Sequence, residues 1–210
     1  MSLARDERAA LVESMRSSGP DVPTMCEGWT ARDLAVHLIL RERRPDAMIG
    51  MFLPLLAGHT RSVEREYRGM RWPHLLELVG HGPPWYSPFR LLDSVLNLAE
   101  MFVHHEDLLR GGADPDGPFL PRKLSPQLQK ALERPLTMVA RATLRSSPAR
   151  VTLGSVDGRE LLTVGRGDAV TVTGTTGELL LWAFGRAPVD VKITGPAAAV
   201  AALAGTERSV

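Results

Sequence analysis

Most of the first 147 residues have the spacing of apolar positions that is typical of helices. Apolar residues recur three and four positions apart over several segments, and polar residues fill the opposite sides. The predicted helices cover residues 2–17, 30–43, 46–56, 60–70, a stretch after 73, 92–110 and 126–144. The strongest pattern is that of 92–110, whose apolar side is formed by Val95, Leu98, Ala99, Phe102 and Leu109. Residues 21–29 are predicted to be a loop, and Thr30 with Asp33 resembles a capping box that opens the helix after it.

The pattern changes near residue 148. From there, β-branched and polar residues alternate in RVTLGSV, RELLTVG, AVTVTG and VDVKITG, which predicts short strands. Asp157 and Gly158 are typical of a tight hairpin turn between the first two. Short helices are predicted at 178–184 and 196–203. The chain is therefore expected to have a helical domain over 1–147 and a small α+β domain over 148–210.

Composition and charge narrow the class of ligand. Hydrophobic residues make up 44% of the chain and charged residues 23%, which is the balance of an ordinary globular protein. The 25 basic and 24 acidic residues leave a net charge of +1, so no overall field attracts nucleic acid or an anionic membrane. We expect a small-molecule ligand instead.

Cysteine content and hydropathy point to a cytoplasmic protein. Cys26 is the only cysteine, so no intrachain disulfide can form and a cysteine-rich zinc ribbon is excluded. The N-terminal residues MSLARDERAALVESM lack the apolar run of a signal peptide. Because no segment reaches the roughly 18 apolar residues of a membrane span, no membrane association is expected.

Three side chains on two predicted helices could bind a metal ion. Glu100 and His104 are four residues apart, so both leave the same face of their helix one turn from each other. His37 lies between Leu34 and Leu38 on the helix over 30–43, on a face that should point to the core. If the two helices pack face to face, two imidazoles and one carboxylate suit zinc, nickel or ferrous iron and leave one position open.

The spacing alone leaves a second interpretation open. A histidine on an apolar face is more often a hydrogen-bonded core residue than a ligand, and E-x-x-x-H also arises by chance. The neighbours of His104 have two interpretations as well. Glu106 and, better placed, Asp107 could orient its imidazole, although such residues are more often solvated. His105 is expected to be more exposed than His104.

Other charged and reactive residues give weaker indications of function. The run Arg41, Glu42, Arg43, Arg44 is typical of a solvated helix end, in which Glu42 offsets positive charge. Alternatively, Arg41 and Arg44 could anchor a carboxylate or a sugar-linked ligand. Cys26 is expected to be a partly buried structural residue rather than a nucleophile, because the adjacent Glu27 disfavours a thiolate. No G-x-S-x-G elbow and no phosphate-binding glycine loop occurs, which removes support for a hydrolase or a nucleotide-binding protein.

Two long motifs carry a family resemblance. TMCEGWTARDLAVHLILRERRPDA (24–47) and NLAEMFVHHEDLLR (97–110) resemble the mycothiol-dependent maleylpyruvate isomerase family of the DinB-like superfamily, in particular an actinobacterial branch described as metal-binding. The later TGTTGELLLWAFGR (173–186) is similar to the C-terminal domain of that family. The family pattern has a cysteine, a glycine and a tryptophan before the first ligand histidine, and then a glutamate with a histidine four residues on. The matching residues here are Cys26, Gly28, Trp29, His37, Glu100 and His104.

The resemblance implies a fold, a cofactor and an activity. It implies a DinB-like four-helix bundle followed by a small sterol-carrier-like α+β domain. It also implies a divalent metal, zinc in the first place, with mycothiol as cosubstrate. The implied activity is that of an isomerase or a thiol S-transferase that acts on a small electrophile through a metal-bound thiolate. Arg186 would hold the substrate, or would simply be an exposed arginine after a helix. The alternative is a noncatalytic module that binds a metal or another ligand.

Overall fold

The chain forms two compact units. The computed structural model describes residues 2–49, 53, 57–87, 94–114, 117, 119–206 and 208. The first unit comprises residues 1–112 and the second residues 113–210. Among the described residues the first unit contains helices alone, and the second combines helices with one sheet. This confirms the predicted fold class.

The helices of the first unit follow the predicted segments. They are α1 (Leu3–Ser18), α2 (Ala31–Arg43), α3 (Pro45–Ile49), α4 (Ala57–Arg68), α5 (Trp72–His81) and α6 (Ser94–Leu109). Parts of two predicted helices, at 50–52, 54–56 and 92–93, lie outside the described residues. The predicted capping box is present, since Thr30 accepts a hydrogen bond from the Asp33 amide and the Asp33 carboxylate accepts one from the Thr30 amide.

The core of the first unit lies where α1, α2 and α5 meet. Helix α1 packs along α6 and against α5, while α2 contacts α3, α4 and α5. Leu11 and Met15 of α1, Leu34 and Leu38 of α2 and Met101 of α6 are fully buried in this core. The face of α2 on which His37 lies is therefore held between apolar neighbours.

The apolar side of α6 differs from the prediction at one end. Leu98, Ala99 and Phe102 are buried as expected, whereas Leu109 is 48% exposed. The side chain of Val95 lies outside the described set. In the last turn the buried positions are taken by Leu108 and by polar residues, so the helix turns Leu109 to solvent.

A buried ion pair connects three helices of the first unit. Glu42 was expected on a solvated helix end, but it is 1% exposed and pairs with Arg8 of α1. Arg8 Nη1 donates to Glu42 Oε2 at 3.0 Å and to the Val79 carbonyl of α5 at 2.9 Å. The expectation was wrong because α1 covers this side of α2 and supplies the partner that a buried carboxylate needs.

The second unit is built on a four-stranded sheet. Its elements are α7 (Pro126–Thr143), β1 (Arg150–Ser155), β2 (Glu160–Val164), β3 (Ala169–Gly174), α8 (Thr176–Ala183), β4 (Val191–Thr194) and α9 (Ala197–Ala204). The strand order is β2-β1-β3-β4, with β1 and β3 parallel and the two outer pairs antiparallel. The predicted turn between β1 and β2 is present, and Gly158 there has a φ of 85°, which favours glycine.

Helix α7 belongs with the sheet. It packs on α8 and contacts β2, and Gln129 Oε1 accepts a hydrogen bond from the Gly177 amide at 3.1 Å. Its buried face includes Leu132 and Leu136. The sequence predicted a boundary between 147 and 148, where the secondary structure changes from helix to strand. The tertiary contacts instead divide the chain between 112 and 113. Periodicity cannot show this, because it gives the apolar face of α7 but not the element that covers it.

No described helix in either unit is long and apolar enough to cross a membrane.

Removing the carboxylate of Glu42 should strongly destabilise the protein. In Glu42→Ala the Arg8 guanidinium stays buried without its partner, which costs about 3–5 kcal/mol of unfolding free energy. Urea denaturation followed by circular dichroism measures this loss. The exposed Glu66→Ala is the matched control and should change little. The double variant Arg8→Met, Glu42→Leu should recover most of the stability, and a Glu42→Ala protein as stable as wild type would contradict the assignment.

The two possible domain boundaries give different fragments. A fragment of residues 113–210 keeps α7 on α8 and should fold by itself. A fragment of residues 148–210 exposes the surface of α8 that α7 covers and should not fold. Amide proton dispersion in NMR spectra distinguishes them, and cooperative folding of 148–210 would contradict the inclusion of α7.

Candidate metal centre

Four consecutive polar residues near the end of α6 are all buried. His104 is 9% exposed, His105 3%, Glu106 2% and Asp107 0%. Successive residues of a helix point about 100° apart, so these four side chains face the whole circumference of α6. Each needs a partner, because an unpaired polar group in the interior costs free energy.

His104 faces Glu100 and His37 with one ring nitrogen. Its Nε2 lies 3.2 Å from Glu100 Oε1, which is also 3.7 Å from His37 Nε2. One candidate ligand atom from each of the three residues lies within 4.8 Å of the other two. The ligands of a tetrahedral zinc ion are roughly 3.4 Å apart, since each bond is about 2.1 Å long. The donor set and its spacing therefore fit one divalent ion.

The local sequence explains this convergence. Glu100 and His104 are one turn apart on α6, so their side chains share a face. His37 lies beside the fully buried Leu34 and Leu38, which fix the rotation of α2. The structure thus brings together the three residues that the sequence predicted as ligands.

Arg41 also belongs to this cluster. Its Nε lies 3.3 Å from Glu100 Oε1. Burial raises the pKa of the Glu100 carboxyl, but hydrogen bonds from His104 and His37 and the charge of Arg41 outweigh it and hold that pKa below its usual range. Glu100 is therefore ionised and able to ligate a cation. Arg44, the other predicted anchor, pairs instead with Asp46 at 2.8 and 2.9 Å.

The second ring nitrogen of His104 is held by Asp107. Asp107 Oδ2 accepts from His104 Nδ1 at 3.0 Å and from Cys26 Sγ at 3.4 Å. Burial lowers the pKa of His104, but hydrogen bonds with Asp107, Cys26 and Glu100 outweigh it and raise that pKa well above its usual value. The bond to Asp107 favours a proton on Nδ1, so a cation at the cluster would replace the proton on Nε2, the nitrogen that faces Glu100. Asp107 is the better-placed orienting residue that the sequence predicted.

The loop before α2 is fastened to the end of α6. The Met25 amide donates to the Asp107 carbonyl at 2.8 Å. A Cβ at Gly111 would lie 2.0 Å from the Pro23 carbonyl oxygen, so only glycine allows this approach. The ring of Trp29 lies 5.2 Å from that of His37. The loop therefore places Cys26 and Trp29 at the cluster, which periodicity could not reveal because the loop has none.

The two residues between His104 and Asp107 have structural roles. His105 was expected to be more exposed than His104, but it is the more buried of the two and packs against α1, with Nδ1 2.8 Å from Glu7 Oε1 and Nε2 2.9 Å from Ser14 Oγ. The expectation was wrong because α1 lies along this face of α6. Glu106 is buried and accepts from Arg110 at 2.8 Å, so it does not orient His104.

Arg186 lies in the second unit, directly after α8. Its Nη1 donates to the Phe184 carbonyl at 3.3 Å. Its role as a substrate contact stays a prediction.

Comparisons with known proteins give a family match for part of the chain and a shared fold for most of it. Residues 1–67 match the family described as mycothiol maleylpyruvate isomerase N-terminal domain, a match that includes His37 and ends before Glu100. No curated protein matches the chain in sequence. The chain is similar in structure to the crystal structure of the mycothiol-dependent maleylpyruvate isomerase, with a TM-score of 0.58, 14% identity, and coverage of 91% of this chain and 90% of that chain. A histidine-to-alanine mutant of that isomerase gives a TM-score of 0.57 at the same identity and coverage.

At 14% identity the structural similarity establishes a shared fold, a helical unit followed by an α+β unit, and the sequence match covers residues 1–67 of the first unit. Residues 1–67 therefore match the N-terminal domain of the mycothiol maleylpyruvate isomerase family, and most of the chain shares the fold of the mycothiol-dependent maleylpyruvate isomerase.

Proposed function

We propose that the chain binds one divalent ion, zinc in the first place, through His37, Glu100 and His104, and uses mycothiol in an isomerase or S-transferase reaction. The observation that carries the proposal is the convergence of two imidazoles and one ionised carboxylate, from α2 and α6, at one partly buried point. Structural zinc sites in proteins use four ligands, whereas three protein ligands leave a position for a further molecule. A three-ligand set thus favours a catalytic site over a purely structural one.

The charges of the cluster favour an anionic partner. Two neutral imidazoles and one carboxylate leave a divalent ion with a net charge of +1, and Arg41 adds a second positive charge beside Glu100. When bound there, the ion would lower the pKa of a thiol that reached it, as divalent cations do for their ligands. Asp107 would keep His104 in the tautomer that ligates through Nε2.

The thiol is assigned from the family. The matched family and both solved structures carry mycothiol in their names, so mycothiol is the proposed cosubstrate. A thiolate is a strong nucleophile, and it can add reversibly to an activated double bond or displace a leaving group. Reversible addition allows rotation about the former double bond, so it can isomerise the substrate. Displacement of a leaving group transfers the thiol sulfur to the substrate, which is the reaction of an S-transferase. The substrate class is therefore a small electrophile.

The two adjacent histidines of α6 should differ sharply in metal binding. Wild-type protein should hold about one divalent ion per chain, because the three ligands converge on one point. His104→Ala should lose most of this metal, whereas His105→Gln, which removes the more deeply buried ring that faces α1, should keep it. Elemental analysis of protein purified without chelators measures both. Full metal occupancy in folded His104→Ala would refute the site.

Thiol binding should depend on the metal and release a proton. A thiol that ligates the ion does so as a thiolate, so its proton must go to the buffer. Calorimetry of mycothiol binding in buffers of different ionisation enthalpy counts that proton. Metal-free protein prepared with a chelator is the control and should bind mycothiol much more weakly.

Two outcomes would count against the thiol-dependent reaction. Equal mycothiol affinity with and without metal would remove its chemical basis. Protein that retains metal but binds no thiol would instead identify the chain as a noncatalytic metal-binding module.

A further inference from the structure

Cys26 ends a chain of hydrogen bonds that begins at His104. Its Sγ lies 3.4 Å from Asp107 Oδ2, the oxygen that accepts from His104 Nδ1 at 3.0 Å. The side chain of Cys26 comes from the loop before α2, whereas the other two residues lie on α6. A thiol on one element therefore contacts the carboxylate that orients a candidate ligand on another.

Asp107 is held by the loop at two points. Its carbonyl oxygen accepts from the Met25 amide at 2.8 Å, and its carboxylate accepts from the Cys26 thiol. The residue is fully buried, so water cannot replace a donor that is removed. Without the thiol, the carboxylate loses a partner beside His104 and is less well fixed in the rotamer that faces the imidazole.

We propose that Cys26 is a positioning residue of the metal centre, whose thiol fixes the Asp107 carboxylate and, through it, the ring of His104. The inference rests on the proposed metal site of His37, Glu100 and His104. It assigns a function to a residue that the sequence indicated only as a structural cysteine. Partners that orient ligand histidines typically contribute about 10- to 100-fold to metal affinity. Cys26 fixes the ring through the Asp107 carboxylate and from the same side, so its effect is smaller than that of Asp107.

Cys26 could in principle ligate a metal itself. One ligand atom each of Cys26, His104 and Asp107 also lies within 4.8 Å of the other two. An ion on that side would break the 3.0 Å hydrogen bond between His104 and Asp107, because it would replace the proton on His104 Nδ1. The other ring nitrogen already faces Glu100 and His37. The geometry therefore favours a role as hydrogen-bond donor over a role as ligand.

The test compares variants of Cys26 that distinguish the effect of its hydrogen-bond donor from the effect of its side-chain volume. Cys26→Val keeps a similar volume without a donor, whereas Cys26→Ser keeps the donor in a smaller side chain. Zinc affinity is measured on the full chain by competition with a chromophoric chelator. We expect a several-fold loss for Cys26→Val, roughly tenfold or more for Asp107→Asn, and an affinity within about twofold of wild type for Cys26→Ser.

A second readout and a control guard against a general structural effect. The absorption spectrum of the Co²⁺-loaded protein reports ligand geometry and should change in Cys26→Val but not in Cys26→Ser. Glu106→Gln alters the neighbouring buried carboxylate, which pairs with Arg110, and should leave zinc affinity unchanged. Thermal unfolding of each metal-free variant verifies that it is folded, and Cys26→Ala replaces Cys26→Val if valine does not fit.

Three outcomes would overturn the inference. Zinc affinity and a Co²⁺ spectrum in Cys26→Val equal to those of wild type would remove the positioning role and leave the metal site intact. A sulfur-to-cobalt charge-transfer band in wild type that is lost in Cys26→Ser would make Cys26 a ligand. A folded wild-type protein that binds neither zinc nor Co²⁺ would overturn the proposed function and this inference together.

Discussion

The need to pair every buried polar group governs the end of α6. Residues 104–107 are polar, face all sides of α6 and are all buried. A single unpaired group among them would cost about 1–3 kcal/mol, which is a large part of the stability of an ordinary domain. Each side therefore has its own partner: Glu100 for His104, α1 for His105, Arg110 for Glu106 and the loop before α2 for Asp107.

This arrangement couples the scaffold to the site. The bond between His105 and Glu7 ties α1 to α6, and the bond between Met25 and Asp107 ties the loop to the same turn. The ring of His104 is thus oriented by contacts that also hold the unit together. A rigid helix supports a ligand more accurately than a loop does, and here the loop is itself held by the helix.

The sequence predicted that His37, Glu100 and His104 would converge because their placement depends largely on local geometry. Glu100 and His104 share a face of α6 whatever the tertiary arrangement is. His37 lies on the side of α2 that points towards the core. The burial of His105 and of Glu42 could not be predicted in this way. In both cases α1 supplies the partner, Glu7 for the first and Arg8 for the second. Periodicity shows which face of a helix is apolar, but not which distant element covers a polar position.

The same limit applies to α7 and to the loop before α2. The apolar face of α7 was evident, yet only tertiary contacts assign it to the sheet. Charge patterns were equally ambiguous for the run from Arg41 to Arg44, in which Arg41 pairs with Glu100 and Arg44 pairs with Asp46. Side-chain chemistry therefore identified candidates, and long-range packing decided among them.

The close approach at Gly111 has an evolutionary consequence. A side chain there would collide with the carbonyl of Pro23, so the end of α6 and the loop that carries Cys26 accommodate each other atom by atom. The two segments are separated by some eighty positions in the chain and yet can change only together. Recombination between homologues at a point between them would join a loop and a helix end that had not been selected as a pair, and would disturb the site even if both parents were active.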